Sequence, residues 1–356
     1  MEKSYPIKEE KQTVTVKCDN CGGNMVFDPE TQKLKCPHCD SVKDFEKSTA
    51  VKEIDILSAF TGEKWDNDSS VYRCENCGAV VVLPPNQTAT ICPYCETSHV
   101  VKSTELAGLK PNALYPFTVT IEKAVEKAKK WAKSKLFAPR KFKNNLSEEA
   151  VRGVYQPAFT FDSQTYSTYN ARIGKRHTRV VGSGKNRRTQ TYIVWRHVSG
   201  ELNEFFNDVM VNADKSFSQK ALNKLAPFND STIKEYSSEY LTGYVARRSD
   251  KEIEGCWDEA KGIMDVAIRS HILSRYNYDV VDYCNVSTTH SNVTYKYVLL
   301  PIYILNFKFR KKLYSINVNG NSGKVYGKTP ISALRVLLAV LLGIAAVLII
   351  GYLIYK

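Results

Sequence analysis

The sequence lacks the short motifs that mark the commonest catalytic sites. Its six histidines form no HxxxH or HExxH pair, and no GxSxG nucleophile motif is present. Gly327-Lys328-Thr329 resembles the end of a phosphate-binding loop. However, Ser322 stands where its first glycine is required, and Pro330 prevents the helix that should follow. We therefore expect a protein that is not an enzyme, unless a catalytic site is assembled only in the fold.

A secretory signal is also lacking, because the chain opens MEKSYP rather than with a basic and then apolar segment. This absence matters for the ten cysteines, eight of which form two quartets with the same spacing. In each quartet two CxxC pairs are separated by fourteen residues, and the second quartet repeats the first with an offset of 56 residues. The quartets are Cys18, Cys21, Cys36 and Cys39, then Cys74, Cys77, Cys92 and Cys95.

The quartets predict two structural zinc sites. Four thiolates can surround Zn²⁺ tetrahedrally at about 2.3 Å each, which leaves no open position for a substrate. Gly22 and Gly78 follow their first pairs, where a metal knuckle needs a left-handed backbone. Short apolar runs between the pairs, such as 24–27 and 79–83, predict the strands of zinc ribbons. Disulfides would need an oxidising compartment, and rubredoxin-like iron is a second alternative.

The end of the sequence predicts a transmembrane helix. Val336 to Tyr355 contains no charge and no proline, and as a helix it would span roughly 30 Å, which matches a bilayer core. Lys324, Lys328 and Arg335 precede this segment, whereas one lysine follows it. The positive-inside bias then predicts a single-pass, tail-anchored protein of the cell membrane, with its N-terminal bulk in the cytoplasm.

The middle of the chain predicts an α+β domain in which antiparallel sheet dominates. Alternating, tyrosine-rich runs at 189–195, 276–283 and 295–303 are typical of strands, and 313–326 predicts a hairpin that turns at Asn319-Gly320. Two apolar stripes predict helices. Their residues are Ile121, Ala124, Val125, Ala128, Ala132 and Leu136 in the first, and Ile253, Cys256, Trp257, Ala260, Ile263, Met264, Ala267 and Ile268 in the second.

The positive charge is concentrated in two stretches without an acidic residue. The formal net charge is +13, and eight thiolates with two Zn²⁺ would lower it to about +9. The residues that could contact an anionic lipid surface are Lys127, Lys129, Lys130 and Arg140 in the first stretch, and Arg176, Arg187 and Arg188 in the second. Nucleic acid is a less favoured partner, and a solvated surface with no specific role remains the third interpretation.

The sequence also resembles a family on three features. These are the paired Cys-x2-Cys-Gly and Cys-Pro-x-Cys ribbons, the stretch Gly153 to Asp162, and the run Leu300 to Phe309 followed by Val318-Asn-Gly320 and Gly323 to Gly327. They are similar to bacterial membrane-anchored zinc-ribbon proteins of the transcription-factor-IIB type, some of which are labelled primosomal-helicase-like. The resemblance implies that the protein acts together with flotillin-like or phage-shock-type proteins in membrane stress responses.

These observations together predict four segments. They are a first zinc ribbon at 1–48, a linker and second ribbon at 49–105, a β-rich α+β membrane-proximal domain at 110–329, and a transmembrane tail anchor at 331–356. The predicted function is a non-enzymatic scaffold that recruits protein partners at the cytoplasmic face of the membrane. The alternative is a membrane-tethered nucleic-acid-binding zinc-ribbon protein.

Overall fold

The fold is β-rich and is built around three very long antiparallel strands. The computed structural model describes residues 16–48, 51–60, 70–74, 80–83, 100–103, 109–140, 142, 151–309 and 312–355. Its strands are β1 (Val26–Asp28), β2 (Lys33–Lys35), β3 (Val42–Lys43), β4 (Ile54–Asp55), β5 (Ser70–Cys74), β6 (Val80–Leu83), β7 (Val100–Ser103), β8 (Ala113–Leu114), β9 (Val151–Val181), β10 (Arg188–Asn212), β11 (Lys234–Glu235), β12 (Val245–Arg247), β13 (Val280–Phe309), β14 (Lys312–Asn319) and β15 (Val325–Gly327). Its α-helices are α1 (Ile121–Ser134), α2 (Gln219–Leu225), α3 (Ile253–Ser274) and α4 (Ala333–Tyr355).

Strand β9 lies between β10 and β13 and pairs antiparallel with both. Its register with β13 runs from Val151 opposite Leu305 to Gly174 opposite Val280. The alternating Tyr, Thr and Val residues favour this extended backbone, because branched and aromatic side chains pack well on a pleated surface. The predicted strands at 189–195 and 295–303 are confirmed, whereas residues 276–279 of the third run precede the strand.

The two predicted helical stripes form α1 and α3, with two differences, one of which is that Ile263 of the second stripe is exposed. Thr120 caps α1 by accepting a hydrogen bond from the Lys123 backbone amide, and the alanines of its stripe are buried. The stripe was predicted to continue to Leu136, but α1 ends at Ser134 and the Leu136 side chain is 79% exposed. Helical periodicity cannot show where a helix ends, and here no glycine marked the end.

The first cysteine segment is packed directly on the main domain. Met25, Phe27 and Leu34 are buried in the same hydrophobic core as α1 and α3. The Phe27 ring lies 5.1 Å from the Tyr240 ring, and the Phe27 backbone amide donates a 3.0 Å hydrogen bond to the carbonyl of Thr242. Contacts therefore cross the boundary that the sequence predicted between segment 1–48 and domain 110–329.

The predicted C-terminal hairpin is formed by β14 and β15, and Asn319 organises its turn. The Asn319 side-chain oxygen accepts hydrogen bonds from the backbone amides of Asn321 (2.8 Å) and Ser322 (3.0 Å). Its amide group donates to the carbonyl of Leu225 in α2. Gly323 has a φ of +74°, in the left-handed region that favours glycine. The turn thus ties the hairpin to the neighbouring helix.

Helix α4 extends from the domain without being covered by it. It has no buried residue, and it is long and apolar enough to cross a membrane. Its base is joined to the loop after α1 by three hydrogen bonds. The Ser332 amide donates to the Phe137 carbonyl (2.9 Å), and the Arg335 guanidinium donates to the carbonyls of Leu136 (3.0 Å) and Ala138 (2.7 Å).

Candidate metal centre and charged surfaces

Four cysteine side chains converge beside the small sheet formed by β1, β2 and β3. The Sγ atoms of Cys18, Cys21, Cys36 and Cys39 all lie within 4.8 Å of one another. Cys18 is 3.5 Å from Cys39, and Cys21 is 3.4 Å from Cys36, so none of these pairs is a disulfide. Tetrahedral zinc with sulfur ligands at about 2.3 Å requires sulfur–sulfur distances near 3.8 Å. The donor set therefore fits a metal ion bound by four thiolates.

The backbone of each CxxC turn positions these sulfurs. In the first turn the Gly22 amide donates to the Cys18 carbonyl (2.9 Å), and Gly22 has the predicted left-handed conformation, with a φ of +71°. In the second, Asp40 adopts a φ of 58° and its amide donates to the Cys36 carbonyl (3.0 Å). A Cβ atom on Gly23 would lie only 2.7 Å from the His38 ring and 3.4 Å from Cys21 Sγ. A side chain at position 23 would therefore require the His38 ring to move.

Two of the thiols are already inclined to ionise. A hydrogen bond from the Ser41 hydroxyl, 3.2 Å from Cys39 Sγ, and one from the Ser41 backbone amide lower the pKa of Cys39 to about 6. The backbone amides of Cys21 and Asn20 lower the pKa of the Cys18 thiol. Thiolates are the form that binds zinc, so these hydrogen bonds favour the metal-binding form of Cys18 and Cys39. At Cys21 the Gly23 amide acts in the same direction, but the hydrogen bonds with Cys36 and Cys39 outweigh it and raise the pKa to about 12.

The second predicted quartet is described only at Cys74, which is buried at the end of β5. Cys77, Cys92 and Cys95 lie outside the described residues. The predicted strand at 79–83 is present as β6, which pairs with β5 and with β12. The described strands of this segment therefore belong to the large sheet of the main domain.

A second group of side chains has the spacing of metal ligands, but a lysine forms ion pairs with it. The carboxylates of Glu53, Asp162 and Asp208 lie within 4.8 Å of one another at a bulge in β10. The Lys296 ammonium is buried among them, 2.6 Å from Asp208 and hydrogen-bonded to Glu53. Burial opposes its charge, but the hydrogen bonds to Asp208 and Glu53 raise the pKa of Lys296. The lysine supplies the positive charge here, so we interpret this group as a structural ionic cluster.

A serine–histidine contact that the sequence did not predict lies in the central sheet. Ser163 Oγ is 3.2 Å from His290 Nδ1. Ser163 is fully buried, and burial lowers the pKa of His290. Because the Ser163 hydroxyl has no access to solvent, it cannot attack a substrate in this conformation. The contact instead joins β9 to β13 within the sheet.

The two basic stretches lie at different ends of the long strands. The first, in α1 and the loop after it, is next to the base of α4. Phe142 packs on Phe307 near Val151, which places the same end of β9 close to this base. From Val151 to Gly174 an extended strand covers up to about 75 Å. The sequence predicted that the second stretch, residues 172–196, lies beside the membrane segment and contacts anionic lipid, but the register of β9 places it at the far end of the strand from α4.

The second stretch forms a projecting hairpin, which we call the arm (residues 175–193). Strand β13 begins at Val280, opposite Gly174, so beyond this point β9 and β10 pair only with each other in the described structure. The arm extends about 20 Å, and its side chains are almost all exposed. Arg179 lies over the Tyr192 ring, and the His177 ring stacks against the same tyrosine.

The fold and site together describe a β-rich protein with a four-cysteine cluster and an apolar C-terminal helix. No protein-family model matches the chain, and no solved structure matches it. The chain is 28% identical over 321 residues to the uncharacterized protein YdjG of Bacillus subtilis (strain 168). The alignment covers 90% of this chain and 91% of that protein.

Proposed function

We propose that this protein is a membrane-anchored zinc-ribbon scaffold that recruits protein partners at the cytoplasmic face of the membrane. The observation that carries this proposal is helix α4, which leaves the domain with no buried residue and with enough length and apolarity to cross a bilayer. A helix that is apolar on every side has no stable place in water. The domain is thus tethered by its C-terminal end.

Zinc has a structural role in this proposal. The four thiols of Cys18, Cys21, Cys36 and Cys39 would hold one Zn²⁺ and stabilise β1 to β3. The duplicated spacing supports a second site of the same kind at Cys74, Cys77, Cys92 and Cys95. Four thiolates leave no open coordination position, so the metal would fix a surface rather than activate a substrate.

The arm is the best candidate for the recruiting surface. A two-stranded hairpin is marginally stable alone, and its open edge can pair with another chain. The arm keeps its edge strand β10 exposed and combines arginines with the exposed Tyr192 and Ile193. Arginine and tyrosine are enriched where proteins bind one another. An acidic protein surface would complement it, and the family resemblance suggests flotillin-like or phage-shock-type partners.

The direction of insertion follows from the flanking charges. Lys324, Lys328 and Arg335 precede the apolar segment, and basic residues favour the cytoplasmic side. Reduced cysteines that bind zinc are also typical of the cytoplasm. Protease added to intact and to opened cells would test this: residues before α4 should be cleaved only after the membrane is opened.

A photocrosslinking residue at Tyr192 tests recruitment in living cells, with Leu57 as a control elsewhere on the domain, because its side chain is 76% exposed against 42% for Tyr192. We expect a discrete protein adduct from position 192 in the membrane fraction, and none from position 57. Charge reversal at Arg187 and Arg188 should abolish the adduct, whereas reversal at the exposed Lys220 and Lys224 should not. Absence of any protein adduct from the arm would contradict recruitment through it.

Nucleic-acid binding is the second candidate, and the arm also favours it. Arginines interleaved with aromatic rings, as at Arg179 and Tyr192, suit both phosphates and bases. Fluorescence anisotropy with single-stranded DNA would decide between the two. Binding that is carried by Arg187 and Arg188, and that weakens steeply with salt, would support this alternative over a protein partner.

A further inference from the structure

The loop between α1 and Phe142 presents apolar side chains at the base of α4. Leu136 and Phe137 are exposed, and so are Ile331 and Leu334 at the start of the tail. We call these four residues the apolar collar. Exposed side chains of this size usually occur singly on a protein surface, whereas a contiguous apolar patch marks a surface that binds something.

The loop is fixed on both sides. Toward the domain, Ala138 is fully buried, and Phe142 packs against the Phe307 ring at 5.2 Å between centroids. Toward the tail, Arg335 donates hydrogen bonds to the carbonyls on both sides of Phe137, and the Phe137 carbonyl accepts from Ser332. The backbone of 136–138 therefore cannot move away from the first turn of α4 without breaking three hydrogen bonds.

The depth of the loop in the bilayer follows from this attachment and rests on the proposed membrane span of α4. If α4 crosses the bilayer from about Val336, its first turn lies at the boundary between headgroups and acyl chains. Leu136 and Phe137 are held at the same level, and their side chains are open to whatever surrounds the helix. Lys133, Lys135 and Arg140 flank them in sequence, and the Lys135 ammonium lies over the Trp131 ring at 4.7 Å from its centroid. Basic side chains at this level attract lipid phosphates while their stems stay against apolar chains.

We propose that residues 135–138 form a second, interfacial membrane contact, in which Leu136 and Phe137 insert into the lipid beside the anchor and Arg335 holds them there. The partner is a bilayer that contains anionic lipid. Lipid is favoured over a protein partner because the collar is continuous with the membrane helix, and any other partner would have to displace lipid from its first turn.

The test places a photocrosslinking residue at Leu136 in the full-length chain, reconstituted in phosphatidylcholine–phosphatidylglycerol vesicles that carry an alkyne-labelled phospholipid. Leu57 is the matched control, because its side chain is 76% exposed and that of Leu136 is 79% exposed. It follows Asp55, which pairs with Thr294, and so lies far along β13 from the collar. We expect a strong phospholipid adduct from position 136, and at least about tenfold less from position 57.

A second variant tests the positioning role of Arg335. Arg335→Gln removes the two hydrogen bonds to the loop, and we expect it to reduce the lipid adduct from position 136 several-fold. Lys328→Gln removes a nearby positive charge without touching the loop carbonyls, and the adduct should persist. An unchanged adduct in Arg335→Gln would overturn the role of that arginine.

Carbonate extraction separates failure of this inference from failure of the proposed function. Extraction of the chain by carbonate would refute the membrane span itself. A chain that resists carbonate but gives no lipid adduct at position 136, or gives a chain-to-chain adduct instead, would keep the anchor and overturn the interfacial contact.

Discussion

Replacing Cys36 by serine should remove the metal from the first cluster and unfold β1 to β3, while the main sheet stays folded. Cys36 is fully buried, and its Sγ lies 3.4 Å from Cys21 Sγ. A serine hydroxyl does not ionise at neutral pH and cannot replace a thiolate ligand. Cys36→Ser should therefore destabilise the segment through loss of the metal rather than through loss of packing.

The size of the destabilisation follows from comparing the free energy that the metal contributes with the free energy that the buried side chains contribute. Met25, Phe27 and Leu34 are the buried apolar side chains of this segment, and each contributes about 1.5–3 kcal/mol. Zinc bound by a small domain contributes on the order of 10 kcal/mol, which is at least as much as the three side chains together. Packing on Tyr240 alone should not keep the segment folded.

Metal analysis and hydrogen exchange measure this in the detergent-solubilised full-length chain. Cys36→Ser should bind one zinc fewer than the wild type, and amides of 25–43 should exchange rapidly while those of 280–305 stay protected. Cys284→Ser is the control, because Cys284 is buried in β13 outside both quartets and should leave the zinc content unchanged. A wild-type zinc content, or persistent protection of 25–43 in Cys36→Ser, would falsify the assignment of this ligand.

Three further changes probe the anchor and the buried charges. A chain that ends at Pro330 should leave the membrane fraction in high salt, and its retention in a sedimentation assay would mean that α4 is not the main anchor. Asp214→Ala should reduce the free energy of unfolding by about 3–5 kcal/mol in urea titration, because the buried Arg247 loses the carboxylate of Asp214. The double variant with Arg247→Met should recover much of this loss. If the double variant shows no recovery, the loss is not an effect of charge. Lys296→Met should cost about 1–3 kcal/mol at pH 7 and less as the pH is lowered, since burial raises the pKa of Asp162 and a protonated carboxyl no longer needs a cation. A loss that does not fall with decreasing pH would exclude this explanation.

Sequence patterns with a fixed period predicted several of the strands and helices. The tyrosine-rich alternation gave β10 and β13 at 189–195 and 295–303, and Asn319-Gly320 marked the hairpin turn. The first quartet was brought together as its spacing predicted, since a CxxC turn aims two sulfurs at one point by local geometry alone. These features depend on residues close in sequence, so no knowledge of the fold was needed.

Long-range placement was beyond what the sequence could show. Nothing in the basic composition of 172–196 indicates that it lies at the far end of a strand from helix α4, because that depends on the register of β9 with β13. Lys296 was likewise unremarkable in sequence, and its three carboxylate neighbours come from separate strands and loops. Charge runs predict attraction to an anion, but only the fold decides which surface they reach.

The length of the β9–β13 pair would transmit the proposed membrane contact to the arm. On a lever of up to about 75 Å, a tilt of about 10° at the anchor base moves the far end by roughly 13 Å. A tether through residues 331 and 332 alone would permit such tilts, whereas a loop inserted beside α4 would resist them. The leaflet potential decays within about 8–10 Å, so a domain held upright would keep Arg187 and Arg188 beyond its reach. Those arginines would then face protein partners rather than the lipid itself.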